Sequence, residues 1–125
     1  MIRLVKLPII VIAVTLLSSC ASSMSPSEIN ERLPALTSST YYSQPRADEA
    51  IANKRCEYID KGKSYKAPVG LTVNGDLRNA AEGIDEWVDV DGGNAYVLRS
   101  YNWEIIDEYG STQLNVEFDT MLCQD

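Results

Sequence analysis

The chain has 125 residues, of which 11 are basic and 18 are acidic, and histidine is absent. A formal charge of −7 argues against nucleic acid or an anionic lipid surface as the ligand, because both are bound through positive charge. Without histidine, the sequence lacks the commonest general base and the commonest metal ligand. We therefore expect no enzyme activity, no bound metal and no cofactor.

The N-terminus has the pattern of a signal peptide. Arg3 and Lys6 form a basic start, and the run Leu7–Leu17 that follows is almost wholly apolar. Such a run is too short to span a bilayer, which takes ~20 residues, but it fits the apolar segment of a signal peptide. The sequence therefore predicts a signal peptide over residues 1–19.

Leu17-Ser18-Ser19-Cys20 resembles the lipobox of bacterial lipoproteins, in which the cysteine becomes the lipidated first residue. The resemblance implies a diacylglycerol on the Cys20 sulfur and an amide-linked acyl chain on its amine, and stable anchoring takes at least two chains. Ala21 stands where an aspartate would favour the inner membrane. The resemblance thus implies an outer-membrane anchor with the protein facing the periplasm. A plain secretory signal and an uncleaved N-terminal anchor are the alternatives.

The predicted mature chain has 9 basic and 18 acidic residues, with room for one small domain and a tether. Residues 20–50 are rich in small and polar side chains, so we expect a lipidated N-terminus and a flexible tether with a reach of ~30 Å. A folded domain is expected over residues 51–125. Twelve acidic residues lie between Asp76 and Asp125, and they form either a face for a cationic partner or a solvated surface.

The first half of the expected domain contains one strand and one helix. Cys56–Lys66 is rich in β-favouring residues, with Gly62 as a bulge, and predicts the first strand. The apolar face of the helix is formed by Leu77, Ala80, Ala81, Ile84, Trp87 and Val88 at helical spacing. We expect Asn74 to cap this helix, Gly83 to lie on its polar side and Gly92-Gly93 to end it.

Two further strands are predicted, over 95–106 and 113–122, with a turn between them. Simple alternation along the first of these places Arg99, Tyr101 and Trp103 on one face. The sequence thus predicts an α+β domain of order β-α-β-β. One helix should pack on a three-stranded sheet whose C-terminal strands form an antiparallel hairpin.

The segments Cys56–Gly62, Gly75–Ala81 and Gly92–Val97, with Cys123 near the end, resemble the DUF4156 group of small bacterial lipoproteins. More distantly, they resemble the outer-membrane sensor lipoproteins of the Rcs envelope-stress phosphorelay, which share a β-α-β-β core. The resemblance covers about residues 55–124 and implies that core. It brings no activity, because the group has none established. The Rcs sensors also hold two disulfides, whereas this mature chain has cysteines for only one.

With Cys20 assigned to lipid, Cys56 and Cys123 remain in an oxidising compartment, where a structural disulfide is expected. A redox or metal pair is the alternative, but the two cysteines lack CxxC spacing and a histidine partner. The stretch Asp89–Asn94 resembles a calcium loop superficially, yet its ligand spacing fails that pattern. A turn at the end of the helix explains it better.

Two groups of residues are candidates for binding. Arg78, Asn79 and Asn94 either line a small-ligand pocket or serve only as helix and turn residues. Arg99, Tyr101 and Trp103 are either core packing or a protein-binding patch, since Trp, Tyr and Arg are typical interface anchors.

The sequence as a whole predicts a non-catalytic outer-membrane lipoprotein that binds another envelope protein or acts as a sensor module. A cell-envelope small-ligand binder or enzyme, and a structural or exclusion-type surface lipoprotein, are the alternatives.

Overall fold

A computed structural model describes residues 26–124. The predicted signal peptide and Cys20 lie outside the described residues, so both stay predictions. Along the chain the elements are α1 (Pro26–Arg32), a 3₁₀ turn (Pro34–Leu36), β1 (Thr40–Tyr41), α2 (Gln44–Ala52), β2 (Cys56–Lys66), α3 (Val73–Val90), β3 (Ala95–Ile105) and β4 (Thr112–Cys123).

The strands form one four-stranded mixed sheet in the order β1-β3-β4-β2. β3 and β4 make the expected antiparallel hairpin, and β2 pairs antiparallel with β4 on its other side. β1 pairs parallel with β3, with Thr40 opposite Ala95. The α+β class is confirmed. The prediction of three strands and one helix omits β1, α1 and α2, which also belong to the fold.

Folded structure begins well before position 51, where the sequence predicts the end of a tether. Ile29 and Leu33, four residues apart around α1, are fully buried. Ala47 and Ala50 of α2 are buried as well. Each segment offers only two buried apolar positions within a polar stretch, which is too few to show a period in the sequence. The tether prediction is therefore wrong for residues 26–50.

The two faces of the sheet carry two separate cores. α3 covers one face together with α1, and the buried side chains there include Leu77, Ile84, Tyr96, Leu114 and Phe118. α2 covers part of the other face, and the buried side chains there are Ala47, Ala50, Cys56, Ala95, Val97 and Met121. The sheet is thus a middle layer between helices, a common way to bury both of its faces.

α3 differs from its predicted details at two positions. Thr72, not Asn74, is the N-cap, and its hydroxyl accepts a hydrogen bond from Gly75 N at 2.9 Å. Gly83 is buried rather than on the polar side, and a Cβ there would lie 2.1 Å from the ring of Tyr65. The missing side chain therefore lets β2 and α3 approach. At the other end Gly92 has φ +79° and makes the expected helix exit.

A bulge in β3 separates three candidate residues that the sequence predicts on one face. The register with β4 shifts between Leu98 and Ser100, so Arg99 is an extra residue in the strand. Tyr101 and Trp103 consequently pack on the α3 side with Tyr96. Arg99 instead follows Val97 toward the α2 side. Simple alternation fails because one extra residue exchanges the faces of everything after it.

A disulfide joins Cys56 to Cys123, as the sequence predicts. The two residues stand directly opposite each other in the β2–β4 ladder and are 67 positions apart. The bridge therefore closes a loop that contains α3, β3 and most of β2 and β4.

Removal of this bridge tests its contribution to stability. We expect the double variant Cys56→Ser/Cys123→Ser to lose about 4 kcal/mol in the free energy of unfolding, because the unfolded chain regains the entropy of a long loop. Urea unfolding with and without a reductant measures the loss. The reductant should destabilise the native protein and leave the double variant unchanged. Equal stability of the native protein in both conditions would contradict the assignment.

A second test uses the buried Tyr96, whose hydroxyl shares a 3.0 Å hydrogen bond with Thr37. Burial raises the pKa of Tyr96 to about 12, whereas a tyrosine in the unfolded chain ionises near pH ~10. The unfolded state therefore loses its proton first. The free energy of unfolding should keep its full value below pH ~10 and fall by about 2–3 kcal/mol as the pH rises toward 12. In Tyr96→Phe that part of the alkaline loss should vanish, and urea titrations at pH 9 and above would show it.

Candidate functional site

The three polar candidates around α3 do not converge. Arg78 and Asn79 lie near its start. Asn94 follows its end, and the end at Val90 is about 18 Å from Arg78 along the axis at 1.5 Å per residue. Asn79 Nδ2 donates to the carbonyl of Pro68 at 2.9 Å. Arg78 is exposed and makes no hydrogen bond or ion pair with residues 26–124. The small-ligand pocket considered from the sequence is therefore not formed by these residues.

The side chain of Asn94 extends the hydrogen bonding of the sheet and does not line a ligand site. Its Nδ2 donates to the carbonyl of Cys123, and its Oδ1 accepts from Cys123 N, both at 2.8 Å. The side-chain amide thus imitates one backbone pair at the end of β4. Gly93 beside it packs its Cα against Met121, where a Cβ would lie 2.5 Å from the carbonyl oxygen.

Arg99, Tyr101 and Trp103 do not form a common surface patch. Arg99 Nε lies 3.0 Å from Oδ2 of the fully buried Asp119, and Arg99 Nη1 donates to Gln44 Oε1 at 2.6 Å. Asp119 Oδ2 takes no hydrogen bond, so its contact with Arg99 is an ion pair. Tyr101 and Trp103 meet edge to face at 6.2 Å between ring centroids and pack on the core. All three residues have structural roles in the domain.

A buried carboxylate organises the end of the molecule where α3 begins. Asp76 is 1% exposed. Its Oδ1 accepts from Gly70 N at 2.8 Å, and its Oδ2 accepts from Trp103 Nε1 at 3.1 Å and from Thr112 Oγ1 at 2.8 Å. The sequence suggests only a favourable charge at a helix N-terminus. The three donors come from a loop and two strands, which local sequence does not bring together.

The carboxylate of Asp85 also accepts several hydrogen bonds, in this case from the chain segment before β1. The backbone N–H and hydroxyl groups of Ser38 and Ser39 all donate to its carboxylate. Burial alone would raise the pKa of Asp85, but these four hydrogen bonds together lower it below its usual value. The adjacent hollow of 210 Å³ is therefore lined by a carboxylate that is already satisfied.

The exposed edge of β2 is the strongest candidate for a functional site. β2 is the last strand of the sheet, and no described strand pairs with its outer side. Cys56 and Cys123 are 4.0 Å apart between Cα atoms, the close spacing of a pair that exchanges no backbone hydrogen bonds. Cys56 and, two residues on, Tyr58 therefore direct their N–H and C=O groups away from β4.

A hollow of 380 Å³ lies beside this edge. We call it the edge groove, and its lining residues are Ile51, Lys54, Arg55, Cys56, Glu57, Tyr58, Leu122 and Gln124. The disulfide fixes one side of it. The end of α2 and the turn through Lys54, which has φ +60°, supply the other side. The edge groove thus combines outward backbone groups with both cationic and apolar side chains.

Positive charge is concentrated along β2 and the turn before it. Of the 11 basic residues in the chain, five lie between positions 54 and 66, namely Lys54, Arg55, Lys61, Lys63 and Lys66. Lys63 is drawn inward, where Asp60 and Asp91 lie 3.0 and 3.4 Å from its Nζ. The hydrogen bond to Asp60 is the largest cause that raises its pKa. Glu57 and Asp60 belong to the same stretch, and Glu49 lies 4.0 Å from Arg55, so the edge carries a small positive net charge on a molecule that is acidic overall.

Half-exposed apolar side chains continue the surface onto the α3 side of β2. Ile59, Trp87 and Leu122 are 39%, 39% and 38% exposed. Lys63 Nζ lies 4.2 Å from the centroid of the Trp87 ring, a cation–π geometry. Such aromatic and aliphatic anchors next to an open strand edge are typical of protein-binding surfaces.

Within residues 26–124, no group of three or more acidic or cysteine side chains is arranged to hold a metal ion. Asp91, from the stretch that resembles a calcium loop, instead accepts a hydrogen bond from Thr120 Oγ1 at 2.7 Å. None of the described helices combines the length and the apolar character needed to cross a bilayer.

Comparison of the chain with protein-family models, curated proteins and solved structures gives no match. The resemblance to the DUF4156 group therefore stays a prediction from the sequence.

Substitution of the buried carboxylate tests the role of Asp76. We expect Asp76→Asn to lower the free energy of unfolding by about 1–3 kcal/mol, because the amide NH₂ would face a donor where an acceptor is needed. Asp89→Asn, on an exposed position of the same helix, is the matched control and should change stability by less than about 0.5 kcal/mol. Urea unfolding of both variants measures the difference. Equal stability of the two would contradict a structural role for this carboxylate.

Proposed function

We propose that the protein is a lipoprotein of the outer membrane, anchored through Cys20 and facing the periplasm. It resembles the DUF4156 group, and its domain is a non-catalytic module that binds another envelope protein. The lipobox-like sequence supports the location. The open edge of β2, with its outward backbone groups beside the edge groove, is the observation that supports binding of a protein partner.

The mode of binding that fits this edge is addition of a strand. An extended segment of the partner would pair its backbone with the outward groups of Cys56 and Tyr58, as in other strand-addition complexes. Its alternate side chains would contact Ile51 and Leu122, which line the edge groove. Backbone pairing supplies affinity in this mode, and the flanking pockets supply selectivity.

The charge of the edge indicates the composition of the partner segment. Lys54 and Arg55 line the edge groove with Glu57 as the single acidic side chain, and Lys61 lies over the ring of Tyr58 at 4.3 Å. An acidic segment would meet this surface with complementary potential, which speeds association and suppresses wrong partners. Basic segments would be attracted elsewhere on this acidic protein.

The same strand also limits where pairing can occur. The register of β2 shifts after Tyr58 and again after Asp60, and Gly62 has φ +73°. Bulges and edge lysines are devices that prevent uncontrolled pairing of open strands. Strand addition is therefore confined to the regular part, 56–58, next to the edge groove.

Photocrosslinking in intact cells tests this function. With the photoreactive amino acid p-benzoylphenylalanine in place of Glu57, which lines the edge groove, we expect a discrete covalent adduct with an envelope protein. The same group in place of Arg78, exposed on α3, should give no such adduct. The adduct should be reduced on the order of tenfold by Lys54→Glu/Arg55→Glu, because the attraction of an acidic segment is lost.

The matched charge control for that variant is Arg78→Glu, which changes an exposed cation outside the groove. It should leave the adduct at position 57 unchanged. An adduct that forms equally with Lys54→Glu/Arg55→Glu would contradict the acidic partner segment. A well-expressed protein that gives no adduct at position 57 would contradict the edge groove as the binding site.

A further inference from the structure

Five large apolar side chains are exposed at the end of the molecule opposite the disulfide. We call this surface the apolar tip. Its members and their exposed fractions are Leu71 (88%), Val73 (48%), Ile105 (72%), Ile106 (45%) and Tyr109 (86%). Single exposed apolar residues are ordinary, but a group of them at one end marks a surface that another molecule covers.

The apolar tip is assembled from two separate parts of the chain. Leu71 precedes α3 and Val73 is its first residue, whereas Ile105 ends β3 and Ile106 and Tyr109 belong to the turn that follows. Asp76 holds the two parts together, because its carboxylate binds Gly70 N on one side and Thr112 Oγ1 on the other. Thr112 stands opposite Ile105 in the β-ladder. These contacts bring both parts to one end of the sheet.

The loop that carries Leu71 is held in a rigid and unfavourable shape. Leu71 has φ +67°, a conformation that a bulky side chain seldom adopts. The loop before it packs backbone against backbone, since a Cβ on Gly70 would lie 2.2 Å from the carbonyl carbon of Gly75. The fold thus maintains a conformation that points the most exposed leucine into solvent. Such strain is a feature of functional surfaces.

The position of the predicted anchor identifies what covers this end. Arg32, the last residue of α1, hydrogen-bonds Asn74 in the first turn of α3. α1 has seven residues and a length of about 10 Å. Six residues, 20–25, connect its start to Cys20, and they span at most about 20 Å. Lipid on Cys20 would therefore hold the start of α3 within about 30 Å of the bilayer surface, a distance that allows the apolar tip to reach it.

We propose that the apolar tip docks into the surface of the bilayer that holds the lipid anchor. This inference rests on the lipid anchor of the proposed function. Leucine and isoleucine side chains bury in the boundary between headgroups and acyl chains, and tyrosine favours that depth. Asp107 Oδ1 accepts from Tyr109 N and Ser111 N at 2.9 and 3.0 Å, so its charge is engaged in the turn. Glu108 is exposed, which favours zwitterionic over anionic headgroups.

Docking of this kind sets the orientation of the domain. β2 and β3 run from the disulfide end toward the apolar tip, while β4 runs back. The edge groove beside Cys56 therefore faces away from the membrane when the apolar tip is inserted. The partner segment would then approach from the periplasm without competing with lipid.

Spin labelling of the lipidated protein tests the docking. In that protein Cys20 carries lipid and Cys56 is bonded to Cys123, so a cysteine introduced by Leu71→Cys or Ile105→Cys is the single site for a nitroxide. Val90→Cys is the matched control, since Val90 is 68% exposed at the far end of α3. Each protein, purified from membranes, is reconstituted into phosphatidylcholine vesicles. Collision of the nitroxide with oxygen and with a water-soluble nickel complex is then measured.

We expect labels at positions 71 and 105 to be several-fold less accessible to nickel than the label at position 90, and more accessible to oxygen. Equal nickel accessibility at all three positions would overturn the docking. Spin–spin broadening between copies at position 71 would also overturn it, because a second copy would then be the occupant. Label on the unsubstituted protein, located on Cys20 by mass spectrometry of the labelled peptide, would show a free Cys20. That result overturns the anchor itself, and the docking with it.

Discussion

Three hydrogen bonds converge on the buried carboxylate of Asp76, and the geometry of one whole end of the molecule depends on them. They connect the start of α3, the loop before it and both strands of the hairpin. A buried charge is tolerated only when its oxygens are satisfied, so the loop and the hairpin must take up these positions together. The same contact sets the spacing between Leu71 and Ile105 and therefore the shape of the apolar tip.

The opposite end is fixed by covalent and backbone contacts instead. The Cys56–Cys123 bridge closes the β2–β4 pair, and the side chain of Asn94 continues the β4 ladder by one step. This end carries the edge groove and presents backbone groups that no described strand pairs, whereas the other end presents the exposed apolar tip. One end is thus suited to an acidic chain segment and the other to a lipid surface. The proposed function needs a fixed geometry at both ends. The hydrogen bonds of Asp76 stabilise one end, and the disulfide and Asn94 stabilise the other.

Local periodicity explains which elements could be predicted. α3 and the β3–β4 hairpin are long enough for their apolar residues to show a period. Cys56 and Cys123 are the two cysteines that remain once Cys20 is assigned to lipid, and they indicate a disulfide. α1 and α2 remain hidden because two buried residues each do not make a pattern, and β1 because it is only two residues long. The bulge at Arg99 reverses the face of Tyr101 and Trp103, and nothing nearby in the sequence marks it. The edge groove and the apolar tip depend on strand order and on Asp76, which are properties of the assembled fold.

The proposed function depends most on lipid at Cys20, because that lipid would place the domain at a membrane and limit the distance of the apolar tip from it. Intact mass spectrometry of the protein isolated from membranes tests this claim most directly. We expect a chain that begins at Cys20, carries a diacylglycerol and an amide-linked acyl chain, and lacks the two hydrogens lost in the Cys56–Cys123 bridge. A chain that retains residues 1–19, or one that begins at another residue and carries no lipid, would contradict it.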